Sequence, residues 1–342
     1  MSSPIPIIDI SPLRQKKGTN SRELKKVVSE LRNACTGIGF FTLIGHEIES
    51  ELVTKTRKAA ATFFSAPAEI KQAVIRPPEK ITRGWNPPGD RALSNTLDKK
   101  TPPDLQEAWG MGPITSQSNA YYTAGAGKTF FADNKWPNIP GYRNTVSNFY
   151  NAMSSLAEDL LRGFALALGI EPTYFVDKTD KHCSNVRFIF YPAQSRAPLN
   201  GQLRAGEHTD YGTFTFVRGD NVPGGLQVSD NRGGWYNVET PENGFVCNIG
   251  DTMQRWTGGR FKSTLHRVVN PPVVSGAEGR ISLVYFHQPN HDAALGGITT
   301  SNETPKTLTF AEHYFGKIHK ANTGGIVKSS ATVAQLISGE VK

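Results

Sequence analysis

Cysteine is scarce in this chain: Cys35, Cys183 and Cys247 are scattered through 342 residues with no CxxC pair. A disulfide framework and a cysteine-built zinc site are thereby excluded, and a reducing, cytoplasmic setting is expected. Long apolar runs are missing as well. None approaches the roughly 18 residues a membrane span requires, and the chain opens on PIPIIDI rather than on a basic stretch followed by an apolar signal region. Basic blocks are the third absence. The 38 Lys and Arg outweigh the 30 Asp and Glu for a formal charge of +8, yet nothing exceeds a pair such as Lys16-Lys17 or Lys99-Lys100. With no aromatic-interleaved basic stripe to handle a nucleic-acid strand, and no membrane-binding block, the charge balance suits a small acidic ligand better.

What is present begins as strand, helix, strand. After PIPIIDI, Asn20 or Ser21 can cap a helix whose Leu24, Val27, Val28 and Leu31 recur on one face, and GFFTLIGH is β-branched and aromatic. A second helix is expected over about Ser50 to Phe64. From about Ile75 to Pro140 the chain is rich in Pro, Gly, Asn and Thr without sustained periodicity, which reads as a long loop region. Between Tyr142 and Leu168 the set Val146, Phe149, Met153, Leu156, Leu160, Leu161, Phe164 and Leu168 marks a core-facing helix stopped by Gly169. Seven short strand-like runs follow: NVRFIFY, GTFTFV, GGLQV, GWYNV, GFVCNI, STLHRVV and RISLVYF. The fold class expected is mainly β with flanking helices, the strands closing as a two-sheet jelly roll whose open end holds a ligand. A last helix is expected over about Phe310 to Lys320.

The chemistry-bearing residues lie in that β region. His208 and Asp210, two apart at the entrance to a strand, can turn one face to a single ion. His266, in a later strand, can supply a third ligand across the barrel. Two histidines and one carboxylate leave adjacent coordination positions open, which points to non-haem iron(II) and oxygen chemistry; ligand types alone leave zinc open. Arg280 and Ser282 form another i, i+2 pair, a guanidinium fork and a hydroxyl suited to a carboxylate. Arg187, Ile189 and Tyr191 share a face of NVRFIFY, so Tyr191 can donate to that carboxylate while Arg187 points toward the metal. His46, His287 and His291 are read as turn or surface histidines outside the metal site, and Trp109, like Trp85, either fills a gap under the long loop or contacts substrate.

The order Tyr191-Pro192, His208-x-Asp210, His266 and Arg280-x-Ser282, preceded by PIPIIDISPL, GFFTLIGH and RGWNPPGD, resembles the iron(II)/2-oxoglutarate-dependent oxygenases of the isopenicillin-N-synthase-like branch, in their microbial and fungal form. The resemblance spans about residues 4 to 320. It implies a double-stranded β-helix, iron(II) held by His208, Asp210 and His266, 2-oxoglutarate held through its distal carboxylate by Arg280 and Ser282 with Tyr191, and dioxygen as the oxidant. Ile189 departs from the pattern, since many plant members carry Asn before that Tyr. The activity implied is hydroxylation, desaturation or ring chemistry on a small molecule of secondary or catabolic metabolism, coupled to decarboxylation to succinate. Two other readings stand beside it: an oxidase of the same fold that dispenses with 2-oxoglutarate, and a non-catalytic jelly-roll binder. The chain is expected to form a single catalytic unit over 1–342, with N-terminal support and loops over 1–120 and the jelly-roll core over 180–290. The segment from Arg83 to Asn95 is expected to cover the iron mouth, with Trp85 and Asn86 facing substrate because Pro87, Pro88 and Gly89 make a stiff turn beside one flat ring and one amide.

Overall fold

The computed structural model describes residues 5–15, 21–77, 83–194, 197–220, 222, 224–272, 279–298 and 308–323. The alternative cap Asn20 and the pair Lys16-Lys17 lie outside these. Among the described residues twelve strands form two sheets. In chain order they are β1 (Ile7–Asp9), β2 (Phe40–Ile44), β3 (Gly84–Asn86), β4 (Glu107–Met111), β5 (Asn185–Tyr191), β6 (Ala205–His208), β7 (Phe214–Arg218), β8 (Leu226–Ser229), β9 (Trp235–Asn237), β10 (Phe245–Ile249), β11 (His266–Val268) and β12 (Arg280–His287). The large sheet runs β1-β2-β10-β7-β12-β5-β4-β3 and the small one β6-β11-β8-β9. From β5 onward the chain crosses back and forth between the two, which is a jelly roll, and the expected fold class holds.

All seven runs read from the sequence contain a strand, and an eighth, β6, carries no sequence signal because AGEH lacks both β-branched residues and alternation. The stretch read as one long loop is a second difference. It contributes β3 and β4, which extend the large sheet beyond β5. Every residue of those two short strands is buried, so the alternation by which a half-buried strand is recognised is absent.

Helices cover the outer face of the large sheet. Ser21 caps the helix Arg22–Thr36 by accepting the Leu24 N–H at 3.1 Å, and Leu24, Val27 and Leu31 are buried along one stripe. That helix and helix Ser50–Phe64 both pack on helix Tyr142–Leu168. That long helix ends at Gly169, whose φ of +72° is the left-handed conformation glycine adopts without cost. Inside it, Gly163 lets the chain approach closely: a Cβ there would sit 2.8 Å from a methyl of Leu13. Alternation on the central strands then separates two environments. Val186 and Phe188 of β5, with Ile281, Leu283 and Tyr285 of β12, join the helices in the main core. Asn185, Arg187, Ile189 and Tyr191 of β5, with Arg280, Ser282, Val284 and Phe286 of β12, line a cavity between the sheets.

Candidate metal centre and cavity

Hydrogen bonding at the cavity leaves one ligand atom free on each of three residues. His208 and His266 stand directly opposite each other on the neighbouring strands β6 and β11, ring centroids 4.3 Å apart. Their Nδ1 atoms meet the carbonyls of Gly206 at 2.7 Å and Thr264 at 3.0 Å, a partner that makes Nδ1 the protonated nitrogen and leaves Nε2 as a lone pair. Asp210 presents Oδ1 at 3.8 Å from Nε2 of His208 and 3.7 Å from Nε2 of His266. Its other oxygen accepts Thr215 Oγ1 at 2.6 Å and Asn248 Nδ2 at 2.7 Å. Thr215 and Asn248 are themselves a cross-strand pair of β7 and β10. The three ligand atoms lie within 4.8 Å of one another.

Charge states follow from this environment. Burial, with His266 beside it, pushes the His208 imidazole down to about 4, so it is neutral at pH 7. Burial alone would raise the Asp210 carboxyl, but the facing imidazoles and the Asn248 and Thr215 donors outweigh it and hold it below the usual carboxylate range. Two imidazoles and one carboxylate make the donor set of a mononuclear divalent metal with open positions.

The route to this geometry differs from the sequence expectation in two respects. His208 ends β6 and Asp210 lies in the turn beyond it, so the turn, not strand alternation, aims the carboxylate at the imidazoles. His266 comes from the adjacent strand, not from across the barrel. The turn is held in place by Asp251, whose N–H donates to the Asp210 carbonyl at 2.7 Å and whose carboxylate accepts Thr209 Oγ1 at 3.1 Å.

At the start of β12, Arg280 stands opposite Tyr191 of β5 and is 6% exposed. Among the described residues its Nε has no hydrogen-bond partner, and one Nη reaches only the Val222 carbonyl, at 3.4 Å. Asp220, the acid nearby, is already paired with Arg57 and accepts the Ile281 N–H at 2.8 Å. Glycine makes room around the fork, since a Cβ on Gly219 would lie 2.3 Å from an Arg280 Nη. A buried guanidinium with an unmet donor and a cleared approach calls for an external carboxylate. Ser282 and Tyr191 line the same cavity, and burial pushes the Tyr191 hydroxyl up to about 12, keeping it a donor.

Arg187 also faces the cavity, whereas Trp85 and Asn86 do not line it. The placement of these two against substrate is corrected: GWN is strand β3, Trp85 is packed into the main core with its Nε1 donating to Glu107 at 2.6 Å, and Asn86 donates to Asp90 at 2.9 Å. From the Arg83–Asn95 segment it is Arg91 and Leu93 that reach the cavity. His287 is a further correction: it is a buried core residue on β12, stacked on Phe214 and bonded to Thr213. Sequence reasoning passed over Arg91, Gln106, Asn185, Tyr211, Gln288 and Tyr314 on the wall. Asn185 was accessible by the same period-two count that found Arg187; Tyr314, on helix Phe310–Thr323, gave no sign that its helix reaches the cavity.

A jelly roll with an open mononuclear metal centre and a buried anion-binding arginine defines the class, and comparison with known proteins gives the family. Residues 5–139 match the family described as non-haem dioxygenase in morphine synthesis N-terminal, and residues 181–289 match the 2OG-Fe(II) oxygenase superfamily. The chain is 33% identical to the 2-oxoglutarate-Fe(II) type oxidoreductase hxnY of Emericella nidulans, covering 88% of this chain and 85% of that one. It is 32% identical to a homoarginine-6-hydroxylase of Glycine max over 92% and 96% of the two chains. The crystal structure of a full-length Neurospora crassa protein in complex with alpha-KG and thymine superposes with a TM-score of 0.77 at 26% identity, over 92% and 96% of the chains. The chain belongs to the iron(II)/2-oxoglutarate-dependent oxygenases. It is an oxidoreductase that uses iron(II), 2-oxoglutarate and dioxygen on a small molecule.

Proposed function

We propose that His208, Asp210 and His266 hold the iron(II), that Arg280 and Ser282 with Tyr191 bind the distal carboxylate of 2-oxoglutarate, and that Arg187 faces the substrate. The observation that carries this is the meeting, in one cavity, of three ligand atoms freed by their hydrogen bonds and a buried arginine with no carboxylate of its own among the described residues. When bound, iron and 2-oxoglutarate supply the activation of dioxygen, coupled to loss of carbon dioxide from the cosubstrate. The chain supplies position. The Gly206 and Thr264 carbonyls fix the imidazole tautomers, and Thr215 and Asn248 fix one carboxylate oxygen so that the other faces the ion. The Arg280 fork sets the direction from which 2-oxoglutarate reaches that ion. Leu226, Val268 and Val217 line the cavity with hydrocarbon and exclude water beside it.

The substrate in this reading is a free small molecule of secondary or catabolic metabolism, not a nucleic-acid strand, and Tyr314 and Ile318 of the C-terminal helix contribute to the cavity that would hold it. The N-terminal strands continuing the large sheet support a single catalytic unit. Three buried free thiols support a cytoplasmic setting; no helix among the described residues is long and apolar enough to cross a membrane. The test is anaerobic titration with iron(II) and 2-oxoglutarate, followed by a compound screen for dioxygen uptake with stoichiometric succinate. His208→Ala, Asp210→Ala and His266→Ala should each lose iron and turnover. Full activity in Asp210→Ala without added anions overturns the ligand assignment, and uptake without succinate would identify an oxidase.

A further inference from the structure

The cavity holds more positive charge than the cosubstrate accounts for. In the reading above both carboxylates of 2-oxoglutarate are taken, one by the metal and the other by Arg280. Arg187 lies four residues from Tyr191 on β5, opposite Val284, so it stands roughly 13 Å along the strand from the Arg280 end. Arg91, from the turn after β3, lines the cavity with it. The Nε of each is buried without a hydrogen-bond partner, and neither guanidinium makes an ion pair with a described residue. Asp90 is close enough for its charge to act on both, but its carboxylate is committed to Arg76 at 2.6 and 2.8 Å and to Asn86 at 2.9 Å. The third unmet group is the hydroxyl of Tyr211, also on the cavity wall. Two guanidinium groups facing one space repel, and each costs several kcal/mol of solvation when withdrawn from water unpaired. Burial, then the charge of Arg91, push Arg187 down to about 9. Such a pair persists in a fold when a ligand supplies the missing anion.

We infer that the substrate is a small carboxylic acid whose carboxylate is clamped by Arg91 and Arg187, with Tyr211 as a third donor and Leu93, Phe286 and Ile318 packing its hydrocarbon body. This deepens the functional reading above and rests on it for the placement of 2-oxoglutarate at Arg280. The Tyr211 hydroxyl, unpartnered on the cavity wall, can donate a third hydrogen bond to that carboxylate. Planar bidentate forks suit a carboxylate, and a neutral heterocycle would leave both charges unmet.

The experiment is calorimetric titration of the iron(II) and 2-oxoglutarate complex, without dioxygen, with benzoate, indole-3-acetate and cyclohexanecarboxylate, each matched with its primary amide, and with thymine as a neutral heterocycle. At least one acid should bind at least tenfold more tightly than its amide, about 1.4 kcal/mol. Arg91→Gln and Arg187→Gln should each remove that preference, while the visible charge-transfer band of the iron and 2-oxoglutarate complex keeps its midpoint within twofold. Arg187→Gln should also melt no lower than the parent in the absence of ligand, because it relieves an uncompensated buried charge; a residue that merely held the fold together would lower it. Equal binding of acids and amides, tighter binding of thymine, or no binding by any acid overturns the proposal. Loss of the charge-transfer band in either variant overturns it differently, by assigning that arginine to the cosubstrate. If the parent protein itself shows no such band, the cosubstrate reading fails, and melting shifts of the metal-free protein with the same acids and amides decide the clamp separately.

Discussion

At the scale of single residues, the proposed metal centre depends on atoms that would not touch the metal. Asp210 is suited to be a ligand because Thr215 and Asn248 occupy its second oxygen, at 2.6 and 2.7 Å. Replacing Asn248 by Ala, or Thr215 by Val, should therefore weaken iron(II) binding by roughly 10- to 100-fold with the fold intact, the range found for partners of ligating groups. Anaerobic iron titration with circular dichroism as a folding control checks this, and unchanged affinity in both variants would remove the argument. Arg280 makes a complementary case. Lys at this position keeps the charge and loses the fork, so Arg280→Lys should raise the 2-oxoglutarate requirement by about tenfold, or about 1.4 kcal/mol, without affecting iron. An unaltered cosubstrate midpoint would reassign the arginine to the substrate or to structure.

At the scale of elements, β3 shows why composition misleads. RGWNPPGD has the ring, amide and stiff turn of a specificity loop, and the turn is present after Asn86, with Gly89 at φ +82°. Pairing with β4 nevertheless turns Trp85 inward, where it sits opposite Trp109 and binds Glu107. Trp85→Ala should accordingly cost about 3–5 kcal/mol of stability, the price of removing a large buried ring. It should not alter substrate selectivity per folded molecule. Chemical denaturation and turnover measured on the folded fraction separate the two; a selective loss of substrate binding with unchanged stability would return Trp85 to the cavity. The C-terminal helix Phe310–Thr323 belongs at this scale too, since Lys317 pairs with Asp251 at 2.8 Å and thereby joins the helix to the turn that carries Asp210.

For the molecule as a whole, acid should act through histidines buried neutral in the core. His182 stacks on Tyr150 and lies beside His287, and burial lowers it to about 4 from an ordinary value near 6.5. His287 is pushed further down by burial and by His182. Between those values the unfolded chain binds protons that the native one refuses, so stability is complete above about pH 6.5 and falls as the pH drops toward 4. The melting temperature should decline across that window, and His182→Phe should flatten part of the decline. An identical pH dependence in parent and variant would show that other groups govern acid unfolding.

The sequence by itself determined the chemistry and the repeating local order. His208-x-Asp210, His266, Arg280-x-Ser282 and Tyr191 were recognisable because their identities and order suit the proposed metal and anion chemistry, and nine of the strands because β-branched, aromatic and alternating runs are a local property of the chain. Even the wall containing Arg187 and Tyr191 could be counted out, since period two needs no partner strand. Tertiary structure decided the rest. Which strand sits beside which placed His266 directly opposite His208, and a turn without periodicity aimed Asp210. The direction in which β3 packed sent Trp85 to the core and left Arg91 and Leu93 at the cavity. Whether an exposed-looking Trp, Asn or Arg ends in a core or in a cavity depends on neighbours far away in the chain, and that information exists only once the sheets have paired and the helices have closed over them.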